Sequence, residues 1–214
     1  LLAGMLMGAL MALLSVTLKA DQVISGITLV VFGTGISNYL YRQAFSSLTA
    51  RVAGMEEFPI PGLSQIPVVG EILFNHTPPV YLTVLAVAGV AFLLFRTTWG
   101  LNIRSVGEHP AAAETSGLNV EGTRYAATIL GSALVGLGGA LLTVVQLKLF
   151  REGIISGKGW IAVALVIFSH WRPWRALFGA LLFGLADSIQ YRIQALSQVQ
   201  QGSGTLPYEF LLML

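Results

Sequence analysis

Cysteine is absent from all 214 residues. That excludes a disulfide framework, a thiolate-bound metal and a cysteine nucleophile, and it leaves the redox compartment open. Charge is scarce as well. Only 10% of residues are Asp, Glu, Lys or Arg, against about 25% in a soluble domain. The basic and acidic residues leave a net charge of +2 and form no run, so nucleic acid binding has no electrostatic footprint. His76, His109 and His170 stand in separate segments without ligand spacing, and no metal site is expected. No Ser/His/Asp arrangement is recognisable, so no catalytic residue is expected. Gly153-Ile-Ile-Ser-Gly-Lys-Gly159 has a superficial likeness to a phosphate loop. It lacks the four-residue spacer and the Ser or Thr after the lysine, and no soluble βα unit surrounds it, so ATP binding by that route is rejected.

What remains is apolar. Hydrophobic residues make up 55% of the chain and the mean hydropathy is +0.75, the composition of an integral membrane protein. Apolar runs cover Leu1–Leu18, Val23–Tyr41, Val80–Phe95, Tyr125–Leu147, Trp160–Ser169 and Ala176–Tyr191, with the start of another near Leu206. A membrane-crossing helix needs about 20 residues. Tyr125–Leu147 meets that length; Val80–Phe95 and Ala176–Tyr191 are short but workable. Trp160–Ser169 is too short to cross and is bounded by Gly157-Lys158-Gly159 and Trp171-Arg172-Pro173. It reads as a re-entrant half-helix, shielded within protein because irregular backbone at membrane depth must be kept from lipid. The expected fold is therefore all-α: a polytopic transmembrane bundle with one broken half-helix.

Small residues recur at every fourth position in three segments: Gly4/Gly8/Ala12, Ser132/Gly136/Ala140 and Ala176/Ala180/Gly184/Ser188. That spacing places each set on one helix face, where it predicts close helix packing and no particular activity. Segment 42–79 holds Pro59, Pro61, Pro67, Pro78 and Pro79 and reads as a loop, because proline removes donors and fixes φ. Its Ile60, Leu63, Ile66, Val68 and Val69 place it along the membrane surface. Charge does not orient the bundle. Lys19, Arg96, Arg104, Arg124, Arg172 and Arg175 flank one side, and Arg42, Arg51, Lys148, Arg151, Lys158 and Arg192 the other, a tie under the positive-inside rule. The chain opens within an apolar run without an initiator Met and stops a few residues into another, Phe210 to Leu214, so a longer membrane protein is expected. The opening run has no basic n-region and no cleavage-like site, so a signal peptide is not expected.

One polar stretch, Arg104-Ser-Val-Gly-Glu-His-Pro-Ala-Ala-Ala-Glu-Thr-Ser-Gly-Leu118, interrupts the grease. Pro110 suits the first position of a helix, where its missing N–H costs nothing. Ala111, Ala112 and Ala113 favour helix, and Gly117 suits the left-handed position past its end. The pattern predicts about two turns over Pro110–Ser116, marginal alone and best explained by docking against something; a capped surface loop is the alternative. Polar residues within or beside the apolar runs are candidates for a translocation path: Asn38, Gln146, Trp160, Asp187 and Gln190. An intramembrane acid usually faces a cavity or a partner. For Asp187 two readings stay open, a path lining or a structural bond to Arg192 or a neighbouring helix.

Arg96-Thr-Thr-Trp-Gly-Leu-Asn-Ile-Arg-Ser-Val-Gly-Glu-His-Pro-Ala-Ala-Ala-Glu-Thr-Ser-Gly-Leu-Asn-Val120 resembles the cytoplasmic coupling loop of ABC-importer permeases, in the class that includes branched-chain amino acid, ribose and nucleoside permeases. Their pattern G-L-x-x-R-A-V-G-E-N-P-x-A-A-x-x-x-G-I-x-V is matched at Gly100, Leu101, Arg104, Val106, Gly107, Glu108, Pro110, Ala112, Ala113, Gly117 and Val120. Ser105, His109 and Leu118 depart mildly, His109 replacing an amide at the N-cap. Residues Ile60–Phe74, Gly157–Phe168 and Leu177–Asp187 resemble the nucleoside and simple-sugar branch. The amino acid branch has a Gly-Gly turn where this chain has Ser169-His170-Trp171. The likeness covers most of residues 55–214; residues 1–50 match in character only.

The resemblance implies a single permease domain over 1–214, lacking its first helices and its last, in the plasma (inner) membrane of a prokaryote. It implies that 42–79 lies outside, that 96–124 lies inside as the coupling loop, and that Trp171–Arg175 lies at the inner side. Arg104, Gly107, Glu108, His109, Pro110, Ala112, Ala113, Glu114 and Gly117 would meet a cytoplasmic ATPase. A second permease subunit and an extracytoplasmic binding protein would complete an importer for nucleosides or a related sugar, surrounded by membrane lipid. The chain itself would bind no cofactor, ATP being bound and hydrolysed by the partner. From the residues alone, an ion-coupled secondary transporter with its ion site at Trp160–Ser169 and Asp187 is the rival reading.

Overall fold

A computed structural model describes residues 1–44, 50–51, 58–59, 75–147, 149–150 and 157–201. They form two compact units, Leu1–Lys158 and Gly159–Leu214. The expected all-α architecture is found. Helices are α1 (Leu2–Ala12), α2 (Gln22–Ala44), α3 (Pro78–Arg96), α4 (Thr98–Glu108), α5 (Pro110–Thr115), α6 (Val120–Leu141), α7 (Lys158–Phe168) and α8 (Pro173–Gln201). Gln22–Ala44, Pro78–Arg96 and Val120–Val145 are long and apolar enough to cross a bilayer. Most of their large side chains are open to the surroundings, Val23 at 67%, Leu85 at 68% and Phe92 at 64%, the pattern of helices solvated by lipid. α1 and α6 each run on as one π-helical turn, Leu13–Thr17 and Leu142–Leu147.

The core of the first unit is the crossing of α1 and α6, and the small-residue stripes make it. A methyl group added at Gly4 would run into the Ser132 carbonyl and lie 3.1 Å from the Gly136 Cα; one added at Gly8 would lie 2.6 Å from the Ser132 Cβ. The first two stripes therefore face one another, at backbone contact. Further along, the Thr17 hydroxyl is bonded to the Tyr125 hydroxyl, so the helices run antiparallel. The third stripe behaves differently. Gly184 has nothing within 4 Å of a built Cβ, and the close approach in α8 is at Gly179, against Leu165 of α7.

The turn between α1 and α2 carries Lys19 at φ 52, and Asp21 caps α2 by accepting from the Val23 and Ile24 N–H groups at 2.9 and 3.0 Å. Among the described residues, two-residue strands tie the segments at the opposite helix ends. β1 (Ala50–Arg51) pairs antiparallel with β4 (Leu149–Phe150), and β2 (Phe58–Pro59) with β3 (Asn75–His76). The ends of α2 and α6 thus lie on one side of the unit, opposite the α1–α2 turn. Most of the expected loop 42–79, including Ile60–Val69, lies outside the described residues.

Candidate functional site

Segment 96–124, read from sequence as a loop bearing one short helix, is helical nearly throughout. α4, which hydropathy alone does not reveal, precedes α5 and sets its position. Thr97, extended at ψ 154, opens α4: its hydroxyl accepts from the Gly100 N–H at 3.1 Å and donates back to the Leu93 carbonyl. The chain turns from α3 into α4 so sharply that a Cβ at Gly100 would collide with the Leu93 and Leu94 backbone. Gly100 and Val106 are buried, while Arg104, Gly107 and Glu108 face out. The Arg104 guanidinium lies 5.0 Å above the Phe95 ring, a cation–π contact that fastens α4 to α3.

His109 links the two short helices. It stands at the N-cap of α5 with φ −141, and its side chain makes no capping bond; its carbonyl receives the Ala113 N–H at 3.0 Å. Pro110 follows at the first helical position, as the sequence predicts. The helix ends at Thr115, one residue before the expected end. Its close is a Schellman motif: Gly117 N–H donates to the Glu114 carbonyl at 2.9 Å and Leu118 N–H to the Ala113 carbonyl at 3.1 Å, with Gly117 left-handed at φ 82. The Thr115 and Ser116 hydroxyls both donate to the Ala112 carbonyl, at 2.9 and 2.8 Å. Asn119 then caps α6 by accepting from Gly122 N–H at 2.8 Å. Ala113 is only 4% exposed and faces the body of the chain. Ala111, Ala112, Glu114 and the Gly107–His109 elbow are exposed. The sequence-derived surface thus sorts into an anchor, Ala113, and a presented face.

The expected half-helix is α7, flanked by Gly157 at φ 78. Its 11 residues rise about 16 Å, half a hydrocarbon core. None of these residues is buried within the second unit, whereas Ser169, the last residue of the expected half-helix, is buried. Its close is also a Schellman motif, with His170 N–H on the Ile167 carbonyl at 3.1 Å and Trp171 N–H on the Val166 carbonyl at 3.4 Å. Here the left-handed positions are His170 (φ 52) and Trp171 (φ 59), where glycine is the usual residue.

The path candidates scatter over both units. Asn38 is half-buried in α2 and Gln146 sits in the π-turn after α6, its side chain outside the described set; Trp160 is on α7, and Asp187 and Gln190 are exposed on α8. Among the described residues no hydrogen bond joins any of them to another. Asp187 differs from its expected place near a helix end. α8 extends to Gln201, which puts Asp187 in the middle of a 29-residue helix, and no described residue, Arg192 included, pairs with its carboxylate. Among the described residues there is no cluster of metal-ligating side chains.

Apolar helices of membrane-crossing length, with a fastened, locally capped polar helix pair beside them, define a multi-pass membrane protein. Residues 1–211 match the family described as Branched-chain amino acid transport system / permease component; the chain belongs to that family. It is 44% identical over 200 residues to the protein named "Putative glucose ABC transporter permease protein TsgC13" in Haloferax volcanii, covering 91% of this chain and 59% of that one. It is 36% identical to the guanosine ABC transporter permease protein NupQ of Bacillus subtilis, over 88% of this chain and 61% of the relative. The nucleoside ABC transporter permease protein NupC of Lactococcus lactis subsp. cremoris is also 36% identical, over 88% and 60%. The chain spans about three fifths of these relatives, 59% to 61%. No solved structure matches.

Proposed function

We propose that this chain is the core of a pore-forming permease subunit of an ATP-driven importer, carrying nucleosides or a simple sugar across the plasma (inner) membrane of a prokaryote. The observation that carries the reading is α5: a helix too short to stand alone, closed at its end by backbone bonds, anchored by Ala113 and presenting Ala112 and Glu114 outward. Such a helix has no use in lipid; it suits a groove on a soluble partner. Family membership and the names of the relatives support a cytoplasmic ATPase as that partner and an ATP-driven cycle over an ion-coupled one. On this reading the ATPase binds and hydrolyses ATP, this chain binds no cofactor, a second permease subunit completes the pore, and an extracytoplasmic binding protein delivers substrate. α4 and α5 would transmit the ATPase motion to α3 through the Gly100 notch and the Arg104–Phe95 contact.

The test is uptake of labelled guanosine and glucose by cells carrying the complete transporter. Ala112→Trp, on the outward face, is expected to lower uptake at least about tenfold, since about 1.4 kcal/mol of lost docking free energy suffices, while the protein still inserts. Normal uptake in an Ala112→Trp transporter would remove the coupling role. Uptake of neither substrate by wild type would remove the substrate class.

A further inference from the structure

We propose that the hairpin of α7 and α8 holds an anionic phospholipid, its phosphate at Arg172 and Arg175 and one acyl chain in the groove between the two helices. The groove has a volume of about 550 Å³. Leu165 and Phe168 of α7 face Phe178, Leu182 and Phe183 of α8 across it, and Arg175 stands at its margin. Gly179 keeps the helices close, since a Cβ there would strike the Leu165 side chain.

Three features point to lipid as the occupant. The first is charge. Between Gly159 and Ala186 the only charged side chains are Arg172 and Arg175, so the hairpin carries two cations at its turn and no carboxylate of its own. Cations near a membrane surface attract anionic headgroups. The second is length. The apolar stretches on either side of the turn, Gly159–Phe168 and Ala176–Ala186, each rise about 15–16 Å, the depth of one leaflet's hydrocarbon. A turn at headgroup level therefore runs its groove along one lipid tail. The third is the turn itself. Trp171 and Trp174 are 75% and 58% exposed, the placing of interfacial tryptophans. His170 and Trp171 occupy left-handed backbone that costs about 1–2 kcal/mol per residue without glycine, so bulky amphipathic side chains are kept at this point despite a cost.

The experiment uses the purified full chain in detergent, given an equimolar mixture of phosphatidylglycerol and phosphatidylcholine, with retained lipid read by native mass spectrometry. Wild type is expected to keep an excess of phosphatidylglycerol. Arg175→Gln should cut that excess about fivefold, the factor equivalent to about 1 kcal/mol for one cation, and Arg175→Lys should restore it. Leu182→Trp, which fills the groove and leaves both arginines, should lower retention of both lipids. No preference in wild type, a preference undiminished by Arg175→Gln, or retention unmoved by Leu182→Trp would each overturn the proposal. So would competition by millimolar inorganic phosphate, which would mean a free-anion site, and so would a doubled mass in place of bound lipid, which would mean the groove is a subunit interface.

Discussion

Two glycines decide how closely the first unit closes. In lipid there is no hydrophobic drive to bring helices together, so association depends on contact area between backbones. Gly4 and Gly8 supply it by leaving room for Ser132 and Gly136 at distances no side chain could tolerate. The four-residue spacing made this face legible in the sequence, yet spacing could not name its partner. The Ala176/Ala180/Gly184/Ser188 stripe has the same spacing, and Gly184 meets nothing within 4 Å. A substitution pair separates the cases. Gly8→Val should destabilise the folded protein by about 1–3 kcal/mol through overpacking, read as a lower midpoint of thermal unfolding in detergent. Gly89→Val, at an open position of α3, should shift stability by no more than about 0.5 kcal/mol. Equal shifts in the two would show that the α1–α6 crossing is not held by backbone contact.

Element ends were readable where their signals are local. Pro110 and Gly117 mark α5 because a fixed φ and a left-handed residue act within a turn of the chain, and the structure places both as expected. α4 escaped notice because Thr97, Gly100 and Val106 act through contacts with α3 and the body of the chain, which hydropathy does not register. The extent of α8 was missed for another reason. Beyond Tyr191 the sequence turns polar, with Gln194, Ser197, Gln198 and Gln200, so an apolar run ends while good helix formers continue. That moves Asp187 from a helix end, where a solvated carboxylate is cheap, to the middle of α8. A mid-helix acid without a described partner is costly unless it meets water or substrate. Asp187→Asn should therefore change the KM for uptake while the amount of inserted protein stays at the wild-type level. Unchanged KM together with poor insertion of Asp187→Ala would assign Asp187 a structural role instead.

At the scale of the molecule, the relation between helix ends comes from pairings far apart in sequence. Ala50–Arg51 on Leu149–Phe150 and Thr17 on Tyr125 place the ends of α2 and α6 on one side and the α1–α2 turn with the start of α6 on the other. Which side is cytoplasmic follows from the proposed role of α5. The absence of native cysteine makes the test direct. With single cysteines at Gln43 and Ser116, both exposed, an impermeant thiol reagent on intact cells should label position 43 and spare 116. Labelling of 116 alone would invert the proposed topology.

A helical membrane protein, its long apolar helices and a capped polar helix at Pro110 are all legible in the residues alone. Composition and local turn chemistry act within a few residues and need no partner. Packing alone reveals which small-residue stripes meet, that Ala113 is buried while Ala112 is exposed, that Gly100 must be glycine beneath Leu93, and that an apolar groove opens beside Arg175. Each of these depends on which backbone approaches which, and in lipid, where apolar surface is content anywhere, hydropathy carries no information about that choice.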